Sequence, residues 1–224
     1  SLITITRDNI RLIGVYNSTI LDGKHQTRIL EISGNNNVKI ENITFINGQK
    51  VHGGAIYWDN SDNGSISNCN FINNTATTSG GAIFVVNSSS LTSNLVINGS
   101  NFINNSASFG GAVYLNGKSN EFSIIEDSTF IDCTSSGDGG AAYISANNVA
   151  LKNVVFANNV VGDDGGAIYW EGYNGIIENI TCTNNRGISA SKNDGSTSST
   201  RGGTICLTGG NMSISDSKFI SFVL

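Results

Sequence analysis

The fold of this chain is decided by one stretch, residues 38–58, which reads VKIENITFINGQKVHGGAIYW. Val38 and Ile40 lie on one face of a period-two pattern, Asn42 interrupts it, and Phe45 resumes it. A Gly-Gly pair follows, and a further apolar run begins directly after it. Period two is the pattern of a short strand, and Asn readily adopts bend conformations. The stretch therefore predicts a strand, a bend, a second strand and, from the glycines onward, a third strand.

The same stretch recurs along the chain at intervals of about 26 residues or more. One series of anchors is formed by the Gly-Gly pairs at 53–54, 80–81, 110–111, 139–140, 165–166 and 202–203. A second series interleaves with it and consists of Phe45, Phe71, Phe102, Phe130, Phe156, Cys182 and Phe219. Two motifs that stay in phase over so many periods indicate a repeat architecture in which each unit packs on its neighbours.

Three short strands in each period, stacked at the usual strand spacing, predict an all-β fold, a right-handed parallel β-helix of about 7–8 coils. We expect residues 1–224 to form a single domain of this kind, and we interpret the chain as a fragment of a longer protein, because neither end shows a capping turn. Residues 186–201 are rich in Ser and Thr and are expected to be a loop insertion into the coil.

Composition excludes several classes of protein. The net charge is −5, and the few Lys and Arg residues are scattered, so no basic nucleic-acid-binding surface is predicted. No apolar run is long enough to span a membrane as a helix. The chain contains 27 Gly, no Pro and few strong helix formers, which disfavours a helical protein.

Two residues after the Phe anchor stands a column of amide and carboxyl side chains. Stacked identical amides can hydrogen-bond along a solenoid and satisfy buried backbone groups at a turn. We therefore predict a structural ladder, rather than a catalytic site, from Asn47, Asn73, Asn104, Asp132, Asn158 and Asn184.

The alternation of Gly-Gly-Ala-(Ile/Val) with Phe-x-x-Asn resembles the polymorphic outer membrane protein repeats of chlamydial surface proteins. The second motif is complete at Phe71/Asn74, Phe102/Asn105 and Phe156/Asn159. The Asn-rich style, as in Ile20-Leu21-Asp22-Gly23, is similar to adhesin-like surface proteins of methanogenic archaea. The resemblance implies a β-helix, an extracellular or cell-surface location and an adhesive role, and it brings no catalytic residues with it.

Carboxylates are the candidate catalytic groups, because related folds are used by polysaccharide lyases and glycoside hydrolases. Asp138 and Asp164 each precede a Gly-Gly pair and are expected to stack in adjacent coils. Two close carboxylates repel each other and favour a cation, so they are the candidate ligands of a Ca²⁺ ion, the only cofactor that the sequence suggests. Solvated turn aspartates are the plainer interpretation, and no catalytic grouping is visible.

The four cysteines occupy different columns. Cys69, Cys133 and Cys182 lie two coils apart in succession, too far for disulfides, and are expected to be buried thiols. A pairing of Cys182 with Cys206 stays open at this point.

An aromatic column provides the candidate ligand-binding residues. In the strand after the glycines, apolar positions flank Tyr57, Phe84, Tyr114, Tyr143 and Tyr169. If the flanking residues face inward, these five aromatics form an exposed strip suited to sugar rings. Two alternatives remain: the rings stack only to stabilise the sheet, or the facing is reversed and they lie in the core.

These observations favour a non-catalytic, adhesin-like module that binds glycans or proteins on the surface of a host or partner cell. A polysaccharide lyase or glycoside hydrolase on the same fold is the first alternative. A structural spacer that holds another domain away from the cell is the second.

Overall fold

The computed structural model describes residues 1–16, 18–87, 94–117, 123–188 and 203–220. These residues form short strands joined by tight corners, and no helix is found among them. The strands, in chain order, are β1 (Ile3–Ile5), β2 (Arg11–Ile13), β3 (Ile20–Asp22), β4 (Leu30–Ser33), β5 (Lys39–Glu41), β6 (Thr44–Ile46), β7 (Gln49–His52), β8 (Ile56–Asp59), β9 (Gly64–Ser67), β10 (Asn70–Ile72), β11 (Thr75–Ser79), β12 (Ile83–Asn87), β13 (Leu95–Asn98), β14 (Asn101–Ile103), β15 (Ser106–Ala107), β16 (Val113–Gly117), β17 (Ser123–Glu126), β18 (Thr129–Ile131), β19 (Thr134–Ser135), β20 (Ala142–Ile144), β21 (Val149–Lys152), β22 (Val155–Ala157), β23 (Val160–Val161), β24 (Ile168–Trp170), β25 (Ile176–Glu178), β26 (Thr181–Thr183), β27 (Arg186–Gly187), β28 (Ile205–Leu207), β29 (Ser213–Ser215) and β30 (Lys218–Ile220).

The strands stack in parallel into four sheets, and the chain visits the sheets in a fixed order. Sheet I contains β1, β4, β8, β12, β16, β20, β24 and β28, and sheet II contains β2, β5, β9, β13, β17, β21, β25 and β29. Sheet III contains β3, β6, β10, β14, β18, β22, β26 and β30, and sheet IV contains β7, β11, β15, β19, β23 and β27. The prediction of an all-β parallel β-helix is confirmed.

The sequence predicted three strands in each coil, one fewer than the structure shows where sheet IV is present. The described coils contain four strands where sheet IV is present, and sheet IV has six strands, so six coils of this kind are seen rather than 7–8 coils of three strands. Most of the missed strands are polar, as in Thr134–Ser135, and the apolar strand Val160–Val161 is only two residues long, so a hydrophobic alternation does not reveal them. The predicted insertion at 186–201 begins later than expected, because Arg186–Gly187 form β27, and residues 189–202 lie outside the described residues.

Most corners among the described residues contain a residue in the left-handed conformation. Between sheets I and II these residues are Asn9, Asn37, Asn63, Asn148, Asn174 and Asn211. Between sheets II and III they are Asn42, Asn68, Gly99, Asp127, Asn153, Asn179 and Asp216. Between sheets III and IV they are Asn47, Asn73, Asn104, Asp132, Asn158 and Asn184. Gly53, Gly80, Gly110, Gly139 and Gly165 make the corner between sheets IV and I. Asn and Asp tolerate positive φ better than other residues with a Cβ, which explains the composition of the chain.

Substitutions at Asn153 test whether the tolerance of positive φ explains the Asn and Asp residues at the corners. Its φ is 54°, its Nδ2 donates to Asp127 Oδ1 at 2.9 Å, and its Oδ1 accepts from Asn179 Nδ2 at 2.9 Å. Asn153→Ala loses both hydrogen bonds and keeps a strained conformation, whereas Asn153→Gly loses only the bonds. We expect alanine to lower the free energy of unfolding by about 1 kcal/mol more than glycine does, measured by denaturant unfolding. Equal losses in the two variants would show that the conformation carries no cost.

The core lies inside the four sheets and is built from columns of identical side chains. Phe45, Phe71, Phe102, Phe130 and Phe156 are fully buried and stack with ring centroids 5.0, 4.8, 4.5 and 4.9 Å apart. In sheet I, Ile56 and Trp58 are fully buried members of the same core. Because side chains alternate along a strand, Tyr57 between them points to the outside.

Candidate functional site

Three surface features lie on sheets I and IV and on the glycine corner between these sheets. Packing of the core does not account for them. The first is the aromatic strip, defined as Tyr57, Phe84, Tyr114, Tyr143 and Tyr169. All five side chains lie on the outer face of sheet I. The apolar residues that flank them in each strand point into the core, as the sequence predicted. Their centroids are 5.4, 5.3, 4.8 and 4.9 Å apart, with interplanar angles of 17–30°. The strip is a continuous stack of rings.

The stack leaves its members only partly exposed. Phe84 is 9% exposed and contacts the His52 ring at 4.7 Å, while Phe109 meets Tyr143 edge-on at 5.8 Å. At the first ring, the Arg28 guanidinium lies 4.5 Å from the centre of Tyr57. Burial raises the pKa of Tyr57, Tyr114, Tyr143 and Tyr169, so the phenols stay neutral at physiological pH.

This geometry has a consequence for sugar binding. A pyranose packs on the flat face of an aromatic ring, but within the strip each inner face is covered by the next ring. The ring edges face away from the stack, and the hydroxyl groups of Tyr114, Tyr143 and Tyr169 interact with Ser145, Glu171 and Thr208, respectively. The strip as a ligand site stays a prediction, and any contact there would be made with edges.

The second feature is a groove on sheet IV with a volume of about 600 Å³. It is lined by small, hydroxyl-bearing and aliphatic residues from successive coils: Ala76, Ser106, Ala107, Ser108, Thr134, Ser135, Ser136, Val160, Val161, Gly162 and Ile188. The sequence did not point to it, because Ser, Thr and Ala in this number are ordinary for the chain and only the fourth sheet brings them together.

The third feature is an acidic cluster at the glycine corner. The carboxylate oxygens of Asp138, Asp163 and Asp164 lie within 4.8 Å of one another. Asp164 is 4% exposed, and its N–H donates to Asp138 Oδ1 at 3.1 Å. Asp163, the sequence neighbour of Asp164, lies in the same cluster as the predicted pair. Carboxylate oxygens suit a hard cation such as Ca²⁺, and the calcium site stays a prediction.

The predicted amide ladder lies at the corner between sheets III and IV, where most of its members are exposed. Asn104 Nδ2 donates to Asn73 Oδ1 at 2.7 Å, and Asn47 Nδ2 donates to Asp22 Oδ1 at 3.0 Å. These contacts run along the solenoid as expected, but the buried backbone groups are satisfied elsewhere. The positive φ of this column turns its side chains outward.

The buried ladder lies one residue later and consists of Asn74, Asn105, Asn159 and Asn185. Asn105 Nδ2 donates to the Phe71 carbonyl at 2.9 Å, and Asn105 Oδ1 accepts from Asn74 N at 3.0 Å. Asn159 and Asn185 repeat this arrangement, with Asn159 Nδ2 2.8 Å from Asn185 Oδ1. The Asn three positions after Phe, in the Phe-x-x-Asn motif, marks this buried ladder in the sequence. The Asn two positions after Phe makes the corner instead.

All four cysteines are buried, and Cys69, Cys133 and Cys182 are free thiols, so the pairing of Cys182 with Cys206 that the sequence left open is not formed. Burial raises the pKa of Cys69 to about 11 and that of Cys133 and Cys182 to about 12. Thiols of this kind are poor nucleophiles and pack as small apolar groups, as predicted.

His52 makes the stability of the glycine corner depend on pH. Burial, followed by the nearby charge of Arg28, lowers the pKa of His52, so the folded state prefers the neutral ring. Its stabilising effect is present above the unfolded pKa of about 6.5 and is lost as the pH falls through the lowered folded pKa. We expect the thermal midpoint to fall between pH 7 and pH 5, and to fall less in His52→Gln. His25→Asn, at an exposed left-handed position, is the control and should keep the full fall.

Comparisons with known proteins find one family. The model of the Chlamydia polymorphic membrane protein repeat matches residues 68–86 and 153–169. Each match begins at a corner between sheets II and III, passes through the Gly-Gly pair and ends in sheet I. No curated protein and no solved structure matches the chain. The chain is thus a parallel β-helix that carries repeats of this type. No helix among the described residues has the length and apolar character that crossing a membrane requires.

Proposed function

We propose that this chain is a non-catalytic module of a cell-surface, adhesin-like protein and that it holds a binding surface away from the cell. The observation that carries the proposal is the match of two separate coils to the repeat of the Chlamydia polymorphic membrane proteins. A second observation supports it. Side-chain ladders inside and outside the coils run in register along the solenoid, as expected of a stiff rod. Seven intervals of sheet I give a rod about 34 Å long.

Location is the first test. Antibodies raised against the purified chain are applied to intact and to permeabilised cells of the source organism. Labelling of intact cells, removed by mild external protease, supports the proposal. Labelling that requires permeabilisation contradicts it.

Attachment is the second test. Beads coated with the chain are added to cells and to immobilised glycans and proteins, with beads coated with the heat-unfolded chain as the control. Adhesion that depends on the folded chain supports an adhesin. Surface location without adhesion favours the spacer, which would hold a neighbouring domain at a fixed distance.

The acidic cluster is the observation that favours the second candidate, a polysaccharide lyase or hydrolase. Its three carboxylates are close enough for paired acid–base chemistry on a sugar. Release of reducing or unsaturated ends from polysaccharides, abolished in Asp138→Asn and Asp163→Asn, would support an enzyme. Binding without product release supports the adhesin.

A further inference from the structure

We infer that the groove on sheet IV is a binding site for a linear, uncharged polysaccharide chain that lies along the axis of the β-helix. This inference rests on the proposed attachment function and names the ligand class and the site that would perform it. The site is separate from the aromatic strip, which occupies the outer face of sheet I.

The shape of the groove is the first argument. Its volume of about 600 Å³ lies in the range of ligand sites in proteins. The lining residues come from five successive coils, from Ala76 in β11 to Ile188 after β27. Four intervals between coils correspond to about 19 Å, so the groove is elongated along the axis. A polymer fits such a site better than a compact ligand does.

The chemistry of the lining is the second argument. The middle row is nearly buried and offers little side-chain surface, with Ala76 3%, Ala107 9%, Ser135 6% and Val161 0% exposed, and apolar surface in the lining comes from Val160 and Ile188. Hydroxyl groups flank this floor, from Ser106 and Thr134 on one side and from Ser108 and Ser136 on the other. A sugar ring has the complementary pattern, with C–H groups on its face and hydroxyl groups at its rim.

The backbone of sheet IV argues against an extended peptide. Peptide recognition by strand addition needs unpaired backbone groups at a sheet edge. In the groove the strands already pair with both neighbours, as β15 does with β11 and β19. A peptide lying there would bring an N–H and a C=O about every 3.3 Å without backbone partners, and it would be out of step with the coil spacing of about 4.8 Å. One pyranose advances a chain by about one coil.

Charge decides between neutral and acidic polysaccharides. None of the described residues that line the groove is charged. Asp138 and Asp163 follow closely after the lining residues Ser136 and Gly162, so carboxylates border one wall. The chain also has a net charge of −5. A uronic acid chain would meet like charges, whereas a neutral chain would not.

The test is calorimetric titration of the whole chain with oligosaccharides of two to six rings. The probes are neutral β-glucan, mannan and chitin fragments, and polygalacturonate fragments are the acidic counterpart. We expect a neutral series to bind with an affinity that rises up to about four or five rings and then levels off, since the groove spans about 19 Å. Polygalacturonate should bind at least about tenfold more weakly.

Groove-filling variants locate the site. Thr134 and Ser136 are exposed at the two walls, so Thr134→Trp and Ser136→Trp should fold normally while obstructing the groove. We expect each to weaken binding by about tenfold or more. Val155→Trp, at an exposed position of sheet III that is 38% exposed in the wild type, is the matched control and should bind normally. Circular dichroism and thermal midpoints establish that all three variants are folded.

Three outcomes overturn the inference: unchanged affinity in both groove variants, polygalacturonate binding as tight as neutral binding, or no binding to any neutral series. Loss of binding in Tyr114→Ala with intact binding in the groove variants would assign the glycan to the aromatic strip and leave the attachment function standing. Failure of the attachment function itself would be seen separately, as absent surface labelling and absent bead adhesion.

Discussion

Gly111→Ala is expected to destabilise the solenoid strongly, because the added methyl group has no room between two coils. Gly111 is the second glycine of a pair, and a Cβ there would overlap the carbonyl oxygen of Gly140 in the next coil. That oxygen belongs to a backbone fixed by the hydrogen bonds of the corner, such as Gly111 N to Gly139 O at 3.1 Å. The coils cannot separate locally without breaking pairs in sheets I and IV. We expect a loss of about 3–5 kcal/mol in the free energy of unfolding, measured by denaturant titration.

Gly34→Ala is the matched control. Gly34 has a φ of +67°, and nothing lies within 4 Å of a Cβ built on it. Alanine there is strained by conformation alone, so the expected loss is about 1–2 kcal/mol. If Gly111→Ala cost no more than Gly34→Ala, close approach between coils would not be the reason for the second glycine.

Asn105→Asp is expected to have the second large effect, although the two side chains have the same shape. The Asn105 amide donates to the Phe71 carbonyl at 2.9 Å and accepts from Asn74 Nδ2 at 3.1 Å. A carboxylate cannot donate, so its second oxygen would face the Phe71 carbonyl in a fully buried position. We expect a loss of about 3 kcal/mol or more near pH 7.

The pH dependence of this variant identifies the cause. Burial raises the folded pKa of the introduced carboxyl above its unfolded value of about 3.9. A protonated carboxyl can donate again, so stability should be regained as the pH falls through the raised folded pKa. Asn104→Asp is the control, because Asn104 is an exposed corner residue and Asp132 fills the same column naturally. A loss in Asn104→Asp as large as in Asn105→Asp would contradict the buried ladder.

The sequence predicted the fold because its two periodicities arise from the core. The Phe anchors and the Ile56 and Trp58 columns must be apolar to fill the solenoid, so their spacing reveals the coil. Sheet IV escaped notice because β15, β19 and β23 are two residues long and rest on small side chains. A strand of two residues is too short to show an alternation of apolar and polar side chains.

The candidate site was only partly predictable for the same reason. The aromatic strip is visible in sequence because rings recur in one column, yet their mutual stacking depends on the close register of Tyr114 with Tyr143. The acidic pair was found from the Gly-Gly motif, and Asp163 is evident in the sequence as the residue beside Asp164. The ladder was placed one residue early because Asn47 and its equivalents are equally rich in amides, and sequence does not show which column turns inward.

The left-handed corners also make the solenoid suitable as a scaffold for inserted segments. The amide contact of Asn174 with Asn148 spans 26 residues, and the same contact of Asn211 with Asn174 spans 37. The hydrogen bond between neighbouring Asn side chains of this column therefore forms whether 26 or 37 residues separate them. An epitope grafted between β27 and β28 should be displayed at a fixed height and orientation while the coils above and below keep their stacking.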